Sequence, residues 1–504
     1  MINKLYKLAL VLVLGALAVS CKKQLEILPR QSVLLRDALN SRENIEAAIT
    51  GVYSRLKSLR MYGRDMLAVA EALGDNAVFT NKSGRLVAEN QNQPGAHFNN
   101  WQVAYYAIAE INLILQAIPN LNVVPVVTQA ERDRWEGQLF FLRALLYHDL
   151  MRAYAYEPGM GVPGQDRGGV PIMLSTPTTV EAAVATLPAR APIDSVYALI
   201  INDLLRANAR LTNNFVSFYP HTATKVAAQA LLARVNLYRA NYPEAIRWCD
   251  SVLLTATMPG RLTNAVGYVS GWTSATHPES IFEVRWANQA ENPGVNESLQ
   301  TSYTTLLFRG NNAVVGGFGD LVPNATGISL LGISFSGSAT APTAITGRTD
   351  DARNLLFEIG SPARGTARIE CTKFIGKNGF PNLDNVPVIR LPEIYLTRAE
   401  ARALLPTPDL NGARADLVTL KQNRYSNYAT TQQAFDNSLT TQAALLNEIL
   451  RQRRIEFMFE GHRWFDEKRR GTTTKIAYTD FRMLARIPIR EVDNNPNLLQ
   501  NFGY

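Results

Sequence analysis

Two glutamates one helical turn apart, Glu456 and Glu460, come nearest to a catalytic arrangement in this 504-residue chain. A glycoside hydrolase needs two carboxyl groups opposed across a sugar in unlike environments, one of them keeping its proton. Glu456 and Glu460 instead point the same way from one expected helix, with Arg451, Arg453, Arg454 and Arg463 around them. Arginines hold carboxylates ionised, so Glu456, Glu460, Arg463 and Asp466 are expected to form a structural salt-bridge network. Acid/base catalysis by the glutamate pair is the alternative. The sequence contains no nucleophile elbow, no HExxH and no metal-ligand spacing among its five histidines. Gly159-Met160-Gly161-Val162-Pro163-Gly164 formally matches a dinucleotide fingerprint, but it follows a helical stretch, contains a proline and opens no helix. No catalytic residue, cofactor or metal is therefore expected.

Chemistry of another kind is expected at Cys21. Lys4 and Lys7 precede an apolar run from Leu8 to Val19, which is too short to span a bilayer and has the form of an export signal. A cysteine directly after Ala18-Val19-Ser20 fits a bacterial lipoprotein signal: a thioether forms at Cys21, the chain is cut before it, and the new amino terminus is acylated. Residues 1–20 are the expected signal peptide. Several acyl chains together anchor a protein stably, at ~0.8 kcal/mol per buried CH₂. No later run is long and apolar enough to cross a membrane, so the lipid is the expected attachment. An ordinary secretory signal followed by a free cysteine is the alternative.

The remaining composition is that of a globular protein, 46% hydrophobic and 19% charged. The formal charge of +8 includes Lys4 and Lys7, and the basic residues are scattered, which argues against a nucleic-acid partner. Beyond Cys21 only Cys249 and Cys371 remain, and both are expected as buried thiols.

Several helices must position whatever site exists. Ser41 precedes a helix with Ile45, Ile49, Val52 and Leu56 on one face. Residues 63–100 lose that period and gather Asp, Asn, Gly and Gln, as a long irregular loop would. Trp101 to Leu115 and Glu131 to Tyr154 are helical again, and Asp194 caps a further helix. Leu232-Ala233, Tyr242, Ala245 and Leu253 have tetratricopeptide-like spacing, with small alanines letting paired helices close together. A second such pair runs through Leu396, Ala399 and Ala403, then Ala413, Leu417 and Leu420, around Pro406-Thr407-Pro408. Residues 255–385 differ: they are rich in Gly, Ser, Thr and Asn, and carry short strand-like pieces such as 280–286. Tyr268 and Trp272 stand there among glycine and serine, a setting that favours exposed aromatics. Residues 448–470 read as one charged helix, and apolar residues spaced among turn formers predict that the ending packs down as a clasp.

Four stretches resemble the SusD/RagB family of surface lipoproteins from Bacteroidota nutrient-uptake systems. They are the Cys21 signal, residues 390–401 (RLPEIYLTRAEA), residues 456–466 (EFMFEGHRWFD) and the ending from Ile487 to Tyr504. The resemblance implies a mainly α fold: tetratricopeptide-like helical hairpins form a right-handed scaffold, with a loop-rich irregular insertion carrying short strands. Residues 21–504 would be one body, with scaffold at about 37–254 and 386–470, insertion at about 255–385 and clasp at about 471–504. It implies a non-enzymatic protein of the outer membrane facing the cell exterior. Such a protein binds an oligosaccharide, or a peptide, and serves as a lid on a SusC-like TonB-dependent transporter. Glycan-binding members carry their contacts after the first helix and in the insertion, which by position implies Asp75, Asn76, Asn81, Trp101, Tyr268 and Trp272. Trp101 also lies in register with a core face. Trp272→Ala is then expected to abolish binding without changing the melting temperature.

Overall fold

Side-chain caps set where the helices begin. The computed structural model describes residues 38–213, 215, 218–255 and 262–504. Cys21, the signal and the tether to Arg36 lie outside them. Ser41 accepts the amide N–H of Asn44 and opens α1 (Arg42–Arg55). α2 (Asp65–Leu73) and the short strand β1 (Ala77–Phe79) follow within the stretch expected to be loop. Every residue of α2 is buried, and a helix enclosed on all sides has no amphipathic period to betray it. α3 (Trp101–Ala117) precedes α4 (Gln129–Tyr154), which starts at a reciprocal capping box between Thr128 and Glu131. α5 (Ile193–Arg210) begins at Pro192, so Asp194 sits in its first turn and is not its cap. α6 (Lys225–Tyr238) and α7 (Tyr242–Leu253) form the first expected hairpin.

The loop-rich part opens with α8 (Ala265–Gly271). It continues through β2 (Ser280–Val284), β3 (Leu306–Phe308), β4 (Asn311–Val315), β5 (Leu321–Pro323), β6 (Ile333–Ser338), β7 (Ala341–Arg348), β8 (Phe357–Ile359) and β9 (Ile369–Cys371). β10 (Val386–Arg390) leads straight into α9 (Leu391–Ala403), which pairs with α10 (Leu410–Gln422) as the second hairpin. The described strands make only two-stranded antiparallel pairs. Two pairs tie the insertion to the scaffold: β1 with β5, where Phe79 faces Leu321, and β2 with β10, where Val284 faces Val386. α7 packs on α9, so the two hairpins meet although the insertion separates them in sequence. The fold is mainly helical, 48% helix against 10% strand, on a tetratricopeptide-like plan. Cys249 and Cys371 are buried and unpaired. No described helix is long and apolar enough to cross a membrane.

The charged helix expected over 448–470 is broken in two, α11 (Gln442–Glu456) and α12 (Arg463–Arg470). Between them Phe459 and Gly461 have φ of +65° and +77°, which ends the helical path. Glycine is required at 461 for a second reason: a Cβ there would lie 2.5 Å from the Met66 carbonyl oxygen and 2.7 Å from Leu67 Cα. The turn is thus pressed against α2. A small apolar core of Leu396, Leu417, Leu445, Ile449 and Phe457 joins α9, α10 and α11, beside the main core. The ending lies on the scaffold through amide bonds, with Asn501 donating to the carbonyls of Tyr154 (3.0 Å) and Ala485 (2.7 Å), and Asn495 to Pro188 (2.8 Å).

Candidate ligand-binding face

The break after α11 drops Glu456 and Glu460 into a buried ionic cluster. Arg424 grips Glu456 through Nε and Nη2, both at 3.0 Å, and Arg390 Nη1 reaches it at 3.1 Å. Arg390 also holds Glu460 with two bonds of 2.8 Å, and Lys373 Nζ lies 2.6 Å from Glu460. Glu279 bridges Arg390 (3.0 Å) and Arg424 (2.8 Å), while Arg353 pairs with Asp351 at 2.6 Å and reaches Glu456 at 3.5 Å. Four cations and four carboxylates, drawn from scaffold and insertion alike, balance in the interior. Burial opposes the charge on Glu456, but Arg424, Arg390 and Arg353 outweigh it and hold the carboxyl well below the usual range. A general acid must carry a proton to donate, and Glu456 is fully enclosed. Asp466 likewise pairs with Arg453 (2.9 Å) and Arg469 (2.9 Å), again inside.

Five of the six expected ligand contacts are also taken up by the protein itself. Arg463 forks onto Asp75 at 2.6 and 3.0 Å, and Arg454 donates to Asn76 Oδ1 at 2.7 Å. These bonds clamp the segment after α2 to the C-terminal helices. Trp101 lies against Tyr105 and Tyr154, its ring centroid 5.0 Å from each, in the core. Tyr268 is completely buried, with the Arg424 guanidinium 4.1 Å from its ring centroid. Trp272 is 6% exposed and lies beside Lys373 (5.1 Å) and Arg390 (5.4 Å). The two aromatics expected to face solvent instead roof the ionic cluster, where cation–π attraction is strongest because water is excluded. A sugar cannot stack on them in this packing.

Next to that clamp lies a carboxylate of a different kind. Glu71 on α2 is fully buried and accepts the Gly461 N–H (3.1 Å) and the Asn76 side-chain amide (3.4 Å); Lys373 acts on it only through space. Burial pushes its carboxyl up from 4.5 to about 7. Below pH 4.5 it is protonated folded or unfolded; as pH rises through the interval to 7 the unfolded chain loses the proton first, so stability falls, then levels off. The full difference is worth roughly 3 kcal/mol. Glu71→Gln is expected to raise the melting temperature at pH 8 and leave it unchanged near pH 4.5, as thermal denaturation at the two pH values will check.

Asn81 alone of the six is exposed. It stands at φ +59°, and its side-chain amide makes no hydrogen bond within the described chain. Around it the loop after β1 meets the insertion. Thr80 donates to the Gly319 carbonyl (2.6 Å), Lys82 Nζ lies 3.3 Å from Glu370, and Arg85 Nε donates to Asp320 (3.1 Å). The half-buried ring of Phe318 lies beside two guanidiniums, Arg85 at 4.8 Å and the exposed Arg364 at 4.6 Å from its centroid. Glycines make this approach possible: a Cβ on Gly317 would sit 2.3 Å from the Thr304 carbonyl oxygen. The face thus presents a free amide and an exposed guanidinium at the edge of a half-buried ring that two guanidiniums overlie, polar groups that suit the hydroxyls of a sugar. Phe318, Arg85 and Arg364 were not among the residues expected from sequence. Phe318 carries the same signal as Trp272, an aromatic set among glycines in Gly316-Gly317-Phe318-Gly319.

The described residues thus build a helical-hairpin scaffold with a loop-rich insertion, and a polar and aromatic face where the two meet at Asn81. Two family models match the chain: one described as starch-binding associating with outer membrane, over residues 23–237, and one described as the SusD family, over residues 372–483. A SusD-like protein of Formosa agariphila is 21% identical over 96% of each chain. Among solved structures, a SusD superfamily protein from Bacteroides thetaiotaomicron superposes with a TM-score of 0.74 at 22% identity, covering 91% of this chain and 99% of that one. A laminarin-binding SusD-like protein does so with a TM-score of 0.65 at 20% identity, covering 92% and 100%. The chain belongs to the SusD/RagB family.

Proposed function

We propose that the protein captures an oligosaccharide at the outer-membrane surface and delivers it, uncleaved, to a SusC-like TonB-dependent transporter. The observation that carries the capture step is the face at Asn81, where a free amide on the loop after β1 meets Phe318 and Arg364 from two separate segments of the insertion. The starch-binding description of the matched family and the laminarin-binding neighbour support a glycan over a peptide as cargo. The burial of Glu456 and Glu460 weighs against a surface hydrolase built on that pair. Attachment would be through lipid on Cys21, with residues 22–36 as tether and the body facing the cell exterior.

Calorimetric titration of the protein with malto- and laminari-oligosaccharides tests the site. Asn81→Ala and Phe318→Ala are each expected to weaken the bound glycan about three- to tenfold, the worth of one hydrogen bond or one ring contact. Unchanged affinity in both variants would remove this face from the site.

A further inference from the structure

A second cleft, of about 630 Å³, lies between α8 and the turn Ala352–Leu356. Its rim carries exposed apolar side chains, Val266 (79%) and Leu355 (46%), and the hydroxyl residues Ser270, Thr273 and Thr349 line its wall. Arg309 also lines it and is held unlike the arginines of the ionic cluster. Nε donates to Thr372 Oγ1 (3.2 Å), Nη1 to the Val269 carbonyl (3.3 Å) and Nη2 to the Thr372 carbonyl (2.8 Å). All three acceptors are neutral. Glu358 and Asp384 act on Arg309 only through space, and Glu358 Oε2 is taken by the Gly310 N–H at 2.6 Å. A guanidinium has five N–H groups, so each terminal nitrogen keeps one in reserve. Of the two carboxylates lining the cleft, Asp351 is spent on Arg353. Asp350 receives the Asn427 N–H (3.0 Å) and the Thr431 hydroxyl (2.9 Å) on Oδ2, leaving Oδ1 free to accept.

We infer that this cleft is a second saccharide site selective for an acidic sugar, whose carboxylate or sulfate oxygens take the two free N–H groups of Arg309. Paired N–H donors aimed at one oxyanion are the arrangement that gives arginine its preference for carboxylate and sulfate-like groups. Asp350 Oδ1 accepts a ring hydroxyl, and Val266 and Leu355 cover the apolar face of the sugar. The inference rests on the glycan-capture reading.

Calorimetry of the protein with a glucuronate-containing oligosaccharide, its carboxyl-reduced neutral counterpart and a sulfated oligosaccharide tests it. At least one acidic sugar is expected to bind about tenfold or more tightly than the neutral one, the usual gain from a charge-assisted hydrogen bond, and the two acidic probes separate carboxylate from sulfate. Arg309→Gln should erase that preference, bringing acidic-sugar affinity down to that of the neutral sugar. Because Arg309 also supports Val269 and Thr372, Val266→Asp is the companion variant. It places a negative charge on the exposed rim and should weaken acidic sugars more than neutral ones. Equal affinity for acidic and neutral sugars overturns the inference, as does an Arg309→Gln protein of unchanged melting temperature that keeps the preference. Absence of binding to every sugar overturns the capture reading along with it.

Discussion

Glu456→Ala is expected to destabilise the protein by about 3–5 kcal/mol, the cost of removing one partner from a buried ionic arrangement. The carboxylate is the acceptor shared by Arg424, Arg390 and Arg353, all three enclosed. Its loss leaves three guanidiniums facing only Glu279, Glu460 and Asp351, in a region where unmatched charge is poorly solvated. Glu456→Gln, which retains an acceptor and the shape but not the charge, should fall between wild type and alanine. The pH dependence has a definite sign. A carboxyl whose folded value lies below its unfolded one contributes stability that is complete above the unfolded value and is lost as pH falls through the folded one. The gap between wild type and Glu456→Ala is therefore constant from about pH 5 to 8, and it closes only in strong acid. Denaturant unfolding across that range measures it. A variant within about 0.5 kcal/mol of wild type at pH 7 would contradict this account of the cluster.

Trp272→Ala is expected to cost about 3–5 kcal/mol, as for other large aromatics cut back to alanine inside a core. Its indole is enclosed by His277 (4.7 Å between centroids), Phe374 (5.4 Å) and Tyr268 (6.4 Å), with Lys373 and Arg390 against the ring. Truncation opens a cavity and also bares the two cations that the indole covers. The expectation from sequence alone was the reverse: lost binding at constant melting temperature. Thermal denaturation alongside glycan titration separates the two. A melting temperature unchanged from wild type would show that the ring is not enclosed, whereas a large drop with affinity preserved at low temperature places it in the interior.

Legibility followed the range of the forces involved. The hairpins α6–α7 and α9–α10 were readable because alanine and leucine spacing is a local property, and helix closure depends on little else. α2 was not readable, since enclosure on every side erases the polar face that sets a period. The break between α11 and α12 was hidden because Ile455, Met458, Phe459 and His462 keep helical spacing across it. Only Gly461 marked the turn, and its necessity comes from Met66 and Leu67, almost four hundred residues away. Tyr268 and Trp272 were misplaced for a related reason: neighbouring glycine and serine report on local backbone, whereas burial was decided by Arg424 and Arg390, more than a hundred residues downstream. Asp75 and Asn76 were read as ligand contacts, whereas in the fold their partners are Arg463 and Arg454. For the proposed site, family position suggested Asn81, while Phe318 and Arg364 became candidates only when the insertion was seen folded against the loop after β1.

On the proposed function, a loop-built face captures a glycan without cutting it. One titration tests this most directly: the protein against a panel of neutral and acidic oligosaccharides, with reducing ends assayed in the same samples after equilibration. Saturable binding to at least one glycan, weakened in Asn81→Ala and accompanied by no new reducing ends, is the predicted result. New reducing ends from the wild-type protein, or no saturable binding to any glycan in the panel, would contradict it.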